Sequence, residues 1–385
     1  MKRILTLLLG LGLLISFVSA QSVTPRSLVP KDARSIAMGG AFTALGSGYQ
    51  SLYGNPAGFG VGRGMLTLAN ASFWGFVKPT SQNLNELGSM TSGDSAAIVG
   101  KVSDLLTGNG IGAGGAAGLG FTGGGLGLGI TAVSEEYARG ATLLGTSFTS
   151  ATQINAIAGL AITLGPKEFN VKLGGDLRPF VRVEGNFPAM TLVSAIAGSS
   201  STSGGPMQVI FDQKASYGVG LAADLGAIAT IGDLSGGLSI RDIAPPFNFT
   251  PTTFGIATGA TAGSITANPS TDPKGQFFPN VTIGLGWSPK FIPGIIDPSL
   301  YLEVQDFKSL ADKNSIWNLL HAGGELRLLS FIFLRGGINQ GWLTAGAGVN
   351  LLILQVDVAA FTEELGMHPG DMPRAGVAAN VRLHL

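Results

Sequence analysis

Residues 168–184 read Glu-Phe-Asn-Val-Lys-Leu-Gly-Gly-Asp-Leu-Arg-Pro-Phe-Val-Arg-Val-Glu, and their alternation decides the fold. The odd positions are Phe169, Val171, Leu173, Gly175, Leu177, Pro179, Val181 and Val183, while the even ones include Asn170, Lys172, Asp176, Arg178, Arg182 and Glu184. A β-strand sends successive side chains to opposite faces, so this run carries one apolar face and one charged face. The same period returns in Ala375, Val377, Ala379, Val381, Leu383 and Leu385, in Tyr217, Val219, Leu221, Ala223 and Leu225, and in Leu126, Leu128 and Ile130. In those runs the second face is mostly glycine and small residues, where a soluble β-sandwich would carry a charged solvent face. Alternating runs of about ten residues between turn signals are the pattern of a transmembrane β-barrel, whose strands need about 9–11 residues to cross.

Composition agrees. Of 385 residues 12% are charged and 60 are glycine, yet 45% are hydrophobic and the mean hydropathy is +0.37; an average soluble domain is roughly 25% charged. Retained hydrophobicity argues against disorder, and glycine without a period of three excludes collagen. Charges of 23 and 23 cancel, which removes the electrostatic case for nucleic acid. With no cysteine and three histidines, the chain offers no disulfide framework, thiolate zinc site or cysteine nucleophile. Membrane helices do not explain the hydropathy either. Residues 111–134 are uncharged, but ten of those 24 are glycine, each costing up to about 1 kcal/mol in a helix.

Met1-Lys2-Arg3, the apolar run Ile4 to Val18 and the small residues Val18-Ser19-Ala20 read as a cleaved signal peptide over 1–20, so the expected location is the cell outer membrane. Residues 21–62 are assigned to an N-terminal plug or hatch segment and 63–385 to the barrel. Its strands are expected at 63–77, 112–122, 125–137, 151–164, 168–184, 214–226, 234–242, 280–289, 298–307, 317–329, 331–339, 342–350, 352–361 and 375–385. That makes about 14 antiparallel strands in an all-β fold, an even number as a single-chain bacterial barrel requires. With both termini on one side, the long connections fall on the far side and the brief ones on the near side, matching long extracellular loops and short periplasmic turns. Asp94 to Leu106 and a segment around Met190, Val193 and Ile196 are expected as loop helices, with a Ser/Gly stretch at 199–205.

Before the first strand stand Ala33-Arg34-Ser35-Ile36-Ala37-Met38-Gly39-Gly40-Ala41-Phe42-Thr43-Ala44 and Tyr53-Gly54-Asn55-Pro56-Ala57-Gly58. This resembles the N-terminal segment of the outer-membrane long-chain fatty acid transporter (FadL-type) superfamily. Ala223-Asp224-Leu225-Gly226, Ser239-Ile240-Arg241-Asp242, the run from His321 through Gly324-Glu325 to Leu334-Arg335-Gly336-Gly337, and Thr362 to Asp371 look like its PorV-type branch. The resemblance implies a 14-stranded barrel with an N-terminal plug and, in the transporter branch, passage of hydrophobic molecules to a lateral opening. The chain departs from the family at Leu45-Gly46-Ser47-Gly48, where acidic residues are common, and at Leu385, where an aromatic terminus is usual.

The candidate hatch or kink is Asn55, Pro56 and Ala57, because proline cannot donate to a ladder and pushes its predecessor towards extended geometry. In the transporter reading the resulting gap is the lateral exit; otherwise it is a turn into the first strand. Asp176, Arg178, Arg182, Glu184, Glu325, Arg327 and Arg335 are the candidate polar lumen residues, since an Arg facing lipid at the midplane costs roughly 2–4 kcal/mol. They could hold a ligand's carboxylate or form a salt-bridge lattice, and mixed neighbouring signs favour the lattice. Gly118 to Gly123 matches G-x-G-x-x-G, but no helix follows it. No enzyme, cofactor or metal site is expected. The leading reading is a channel for hydrophobic or amphipathic small molecules such as long-chain fatty acids. The alternatives are a PorV-like scaffold or shuttle for a secreted protein partner and a structural barrel with an occluded lumen. Outer-membrane lipid and the outer-membrane assembly machinery are the other expected partners.

Overall fold

The computed structural model describes residues 22–23, 27–77, 110–140, 145–166, 168–188, 191, 206–306 and 315–385. The expected signal peptide, the loop helices at 94–106 and 190–196 (Thr191 apart) and the Ser/Gly stretch lie outside them. Among the described residues, β1 (Met65–Val77), β2 (Ile111–Gly123), β3 (Leu126–Arg139), β4 (Ser147–Leu164), β5 (Phe169–Pro188), β6 (Lys214–Ile231) and β7 (Leu234–Ile243) form one half of a ring. The other half is β8 (Asn280–Trp287), β9 (Ile296–Val304), β10 (Leu320–Leu328), β11 (Ile332–Asn339), β12 (Trp342–Leu351), β13 (Leu354–Glu364) and β14 (Pro373–His384). Each strand pairs antiparallel with its sequence neighbours; β7 meets β8 through Leu234 and Trp287, and β14 closes on β1 through Val381 and Ala71.

The ring is therefore a closed 14-strand antiparallel barrel, and closure leaves no edge to pair with another chain. Strand boundaries follow the expected list within a few residues. The largest shifts are β4, which starts at Ser147, β5, which runs on to Pro188, and β6, which runs on to Ile231; the expected beginning of β10 is a 3-10 turn over Ile316–Leu319. Beyond the far end of β7, Phe247–Thr253 adds a short strand against Lys214–Gly218 of β6.

The stripes point as the alternation requires. Phe169, Leu177 and Val377 are 55%, 55% and 65% exposed, whereas Asp176, Arg178 and Arg182 are 6%, 1% and 3% exposed. An exposed apolar belt around a buried polar interior is the reverse of a soluble protein, and its stable surroundings are lipid.

Residues 27–62 run inside the ring. They form α1 (Ala33–Ala37), capped by the Asp32 carboxylate on the Ser35 N–H, and 3-10 turns over Gly48–Leu52 and Pro56–Gly60. Tyr49, Leu52, Phe59 and Asn55 are all but fully buried there. This explains the small second face of so many strands. A Cβ at Gly323 would come within 2.2 Å of the Met38 carbonyl oxygen, at Gly174 within 2.4 Å of the Pro56 carbonyl oxygen, and at Gly226 within 1.9 Å of Asn55 Oδ1. Glycine faces inward where a second backbone lies against the wall.

Candidate functional site

The charges of the lumen come in clusters that tie the internal segment to opposite sides of the ring. From α1, the Arg34 guanidinium reaches both oxygens of Glu325 on β10, at 2.9 Å each. Arg335 on β11 donates to the same carboxylate at 2.7 Å and to Asp357 on β13 at 2.7 Å, and neither Arg335 nor Asp357 exposes any side chain. Asp32 accepts from Arg382 on β14 at 3.1 Å. Lys31 pairs with Glu363 at 2.8 Å, which Arg374 also contacts at 2.5 Å. A bidentate guanidinium and carboxylate pair fixes orientation as well as charge, so these contacts set the register of the segment.

On the other wall Arg178 pairs with Asp224 at 3.2 Å and with Asp242, while Arg241 pairs with Asp224 at 3.4 Å and with the Tyr53 carbonyl oxygen. A bulge makes this possible. Ala223 pairs with Ile243 but Leu225 with Ile240, and Asp242 adopts φ 64°. The extra residue turns both Arg241 and Asp242 into the lumen, as bulges do where a side chain must be re-aimed. Asp176 stands directly across from Asp224 on the neighbouring strand, with Oδ1 buried and unpaired.

Of the seven expected lumen residues, Asp176, Arg178, Arg182, Glu325 and Arg335 are buried inside the ring and Glu184 is partly buried there. Arg182 donates to Gln153 at 2.8 Å and to Glu184 at 2.6 Å. Arg327 shares the inward register but sits at the near rim, half exposed and paired with Asp297 at 2.5 Å. The charges are bonded mainly to one another, in keeping with the lattice. Sequence reasoning had not singled out Lys31, Asp32, Arg34, Asp224, Asp242, Asp357 and Arg382 as site residues. The cluster Lys31-Asp32-Ala33-Arg34 in an otherwise apolar segment was the available signal.

Asn55 is fully buried at the start of the second 3-10 turn. Its side chain accepts from the Ala57 N–H at 3.0 Å and donates to the carbonyl oxygens of Thr43 at 3.0 Å and Ala227 at 3.2 Å. Pro56 occupies the first position of that turn, where a missing N–H costs nothing. The Asn55-Pro56-Ala57 element therefore breaks no ladder of the wall. Pairing lapses elsewhere, between β4 and β5 at Ala156 and Ile157 opposite Arg178 and Pro179. Asn55→Ala is expected to cost about 1–2 kcal/mol, the range of a lost cap, read as a lower midpoint in urea titration of the purified barrel.

At the far end of the lumen the lining becomes aromatic. Phe180 of β5 packs on Phe277 and Phe247 with ring centroids 4.8 and 5.0 Å apart, and Phe249 lies 5.1 Å from Phe247. All four are buried. The Arg182 guanidinium lies 5.8 Å from the Phe277 ring.

No family model and no curated protein matches the chain. Among solved structures it is similar to the Ralstonia pickettii toluene transporter TbuX, at 14% identity and a TM-score of 0.51 over 92% of this chain and 97% of that one. It is also similar to the CymD monoaromatic hydrocarbon channel, at 12% identity and a TM-score of 0.51 over 94% and 98% of the two chains. At these identities the likeness establishes the fold.

Proposed function

We propose that this barrel is an outer-membrane channel for hydrophobic or amphipathic small molecules, with long-chain fatty acids and monoaromatic hydrocarbons as the substrate classes to test. The observation that carries this reading is the cluster of Phe180, Phe247, Phe249 and Phe277 at the far end of the lumen, beside the buried charges of Arg178 and Arg182. Ligand sites for apolar molecules are built from aromatic walls with a few polar groups that orient the ligand, and Arg182 is such a group beside the rings. Pro179, beside Phe180, has no N–H to give the ladder, and a lateral path from the rings to the lipid face of β4 and β5 would start there. The Asn55-Pro56-Ala57 turn packs against β5 and β6, where a hatch would act. The toluene transporter and the monoaromatic hydrocarbon channel that share the fold carry cargo of the same class.

The test is reconstitution in liposomes, with uptake of labelled fatty acid and of toluene followed beside conductance. Uptake by the unaltered chain is expected, with loss in Pro56→Gly while the barrel stays folded. The filled lumen favours a second reading, a docking scaffold for a secreted protein. Absence of both uptake and conductance in the unaltered chain would select it.

A further inference from the structure

The near-side turns divide into two kinds, and the β8 to β9 turn, with Gly294 at φ 80°, shares its left-handed glycine with the first. From β2 to β3, β4 to β5 and β6 to β7 every left-handed position is glycine: Gly123, Gly124 and Gly125 at φ 112°, 63° and 92°, Gly165 at 96° and Gly232 at 59°. From β10 to β11 and β12 to β13 the same region of φ is held by Leu329 at 50°, Ser330 at 67° and Leu352 at 54°. Leucine is a poor residue for that backbone, which glycine adopts without steric cost. It is also a poor residue for water, and Leu352 is 94% exposed. Ile353, Leu329, Phe291, Ile292 and Ile295 are exposed beside it on the same rim. A strained, bare leucine at a hairpin tip is reasonable only where the tip is surrounded by something apolar.

Strand length says what that is. β4, β5 and β6 have 18, 20 and 18 residues, whereas β8 and β11 have 8 each and β9 and β10 have 9 each. At about 3.3 Å per residue and a tilt of roughly 40°, an eight-residue strand rises only about 20 Å, short of an apolar band about 25 Å tall. At β8 and β11 the ladder ends inside the hydrocarbon. We propose that the near-side turns at 291–295, 329–331 and 351–353 are immersed in the acyl layer of the near leaflet, and that the turns flanking β8 and β11 complete the crossing that eight residues are too short to make. The glycine and acidic turns of the tall side stand in water. Occupancy by lipid follows from continuity: these turns extend the outward stripes of the same strands, such as Leu300 and Leu285. The rim's charges fit this placement. Arg327 and Asp297 neutralise each other on the inward register, and Lys290 has a stem long enough to carry its ammonium to the interface.

The chain has no cysteine, so single labels can be placed at will. Leu352→Cys, Ile353→Cys and Phe291→Cys, with Glu168→Cys and Asp233→Cys in the tall-side turns, would each carry a nitrobenzoxadiazole fluorophore in phosphatidylcholine liposomes. The expected result is several-fold stronger quenching by doxyl-labelled acyl chains at 352, 353 and 291 than at 168 and 233. Quenching by iodide present on both sides should be several-fold weaker at the same three positions. Equal iodide quenching at all five would place the short-side turns in water and overturn the proposal. Shielding from both quenchers would mean that protein, such as a second copy of the chain, covers the rim, and would overturn it equally.

Discussion

Arg335→Met is expected to lower the stability of the barrel by about 3–5 kcal/mol, the usual consequence of removing one partner from a buried ion pair. Arg335 is completely enclosed, and its guanidinium bridges Glu325 on the preceding strand and Asp357 on a strand two places away. Without it Glu325 keeps Arg34, but Asp357 keeps only the Gln355 amide at 2.7 Å. A buried carboxylate is then left without an ion-pair partner of its own. The measurement is the urea midpoint of the refolded barrel, followed by the heat-modifiable shift between compact and extended forms on a gel. Adding Asp357→Asn to Arg335→Met removes the stranded charge and is expected to recover part of the loss. A change under about 1 kcal/mol in the single variant would mean that water screens the cluster as it screens a surface pair.

Gly226→Leu is the second large effect. A side chain at Gly226 meets Asn55 Oδ1 at 1.9 Å and the Ala57 N–H nitrogen at 2.9 Å, so the Asn55-Pro56-Ala57 turn cannot keep its place. The wall is held by continuous pairing of Gly226 with Gly174 and Ser239, whereas the turn is held by a few side-chain bonds. The segment should yield before the ring. The expected outcome is a folded barrel with ion conductance at least several-fold above the unaltered chain in planar bilayers. Gly236→Leu is the control. It points outward, where a Cβ meets only Leu285 at 3.8 Å, and should leave conductance unchanged. Unaltered conductance in a folded Gly226→Leu barrel would mean that the turn does not obstruct the pore.

Much of the ring is legible in the sequence. The stripe in 168–184 placed Arg178 and Arg182 inside and Leu173 and Leu177 outside, because a pleated strand allows no other division. Connection lengths ordered the strands, since antiparallel neighbours joined by two or three residues have only one way to pair. The site was less legible. The lumen charges were visible as a parity, but their partners were not: Arg34 meets a carboxylate 291 residues away and Asn55 a carbonyl 172 residues away. The re-aimed Asp242 broke the parity through a bulge that no local pattern announces. Proline at 56 looked like a break in the wall, whereas it starts a turn within the lumen, and the lapse in pairing belongs to Pro179.

What the sequence determined by itself is the period, the direction of each side chain and hence a closed, greasy-belted ring. These follow from local backbone geometry and from the requirement that every strand edge be paired in lipid. Only the tertiary structure decided what fills that ring and which opposite charges meet across it. Those contacts join residues distant in the chain, and their partners are set by closure of the barrel around the 27–62 segment rather than by any neighbour in sequence.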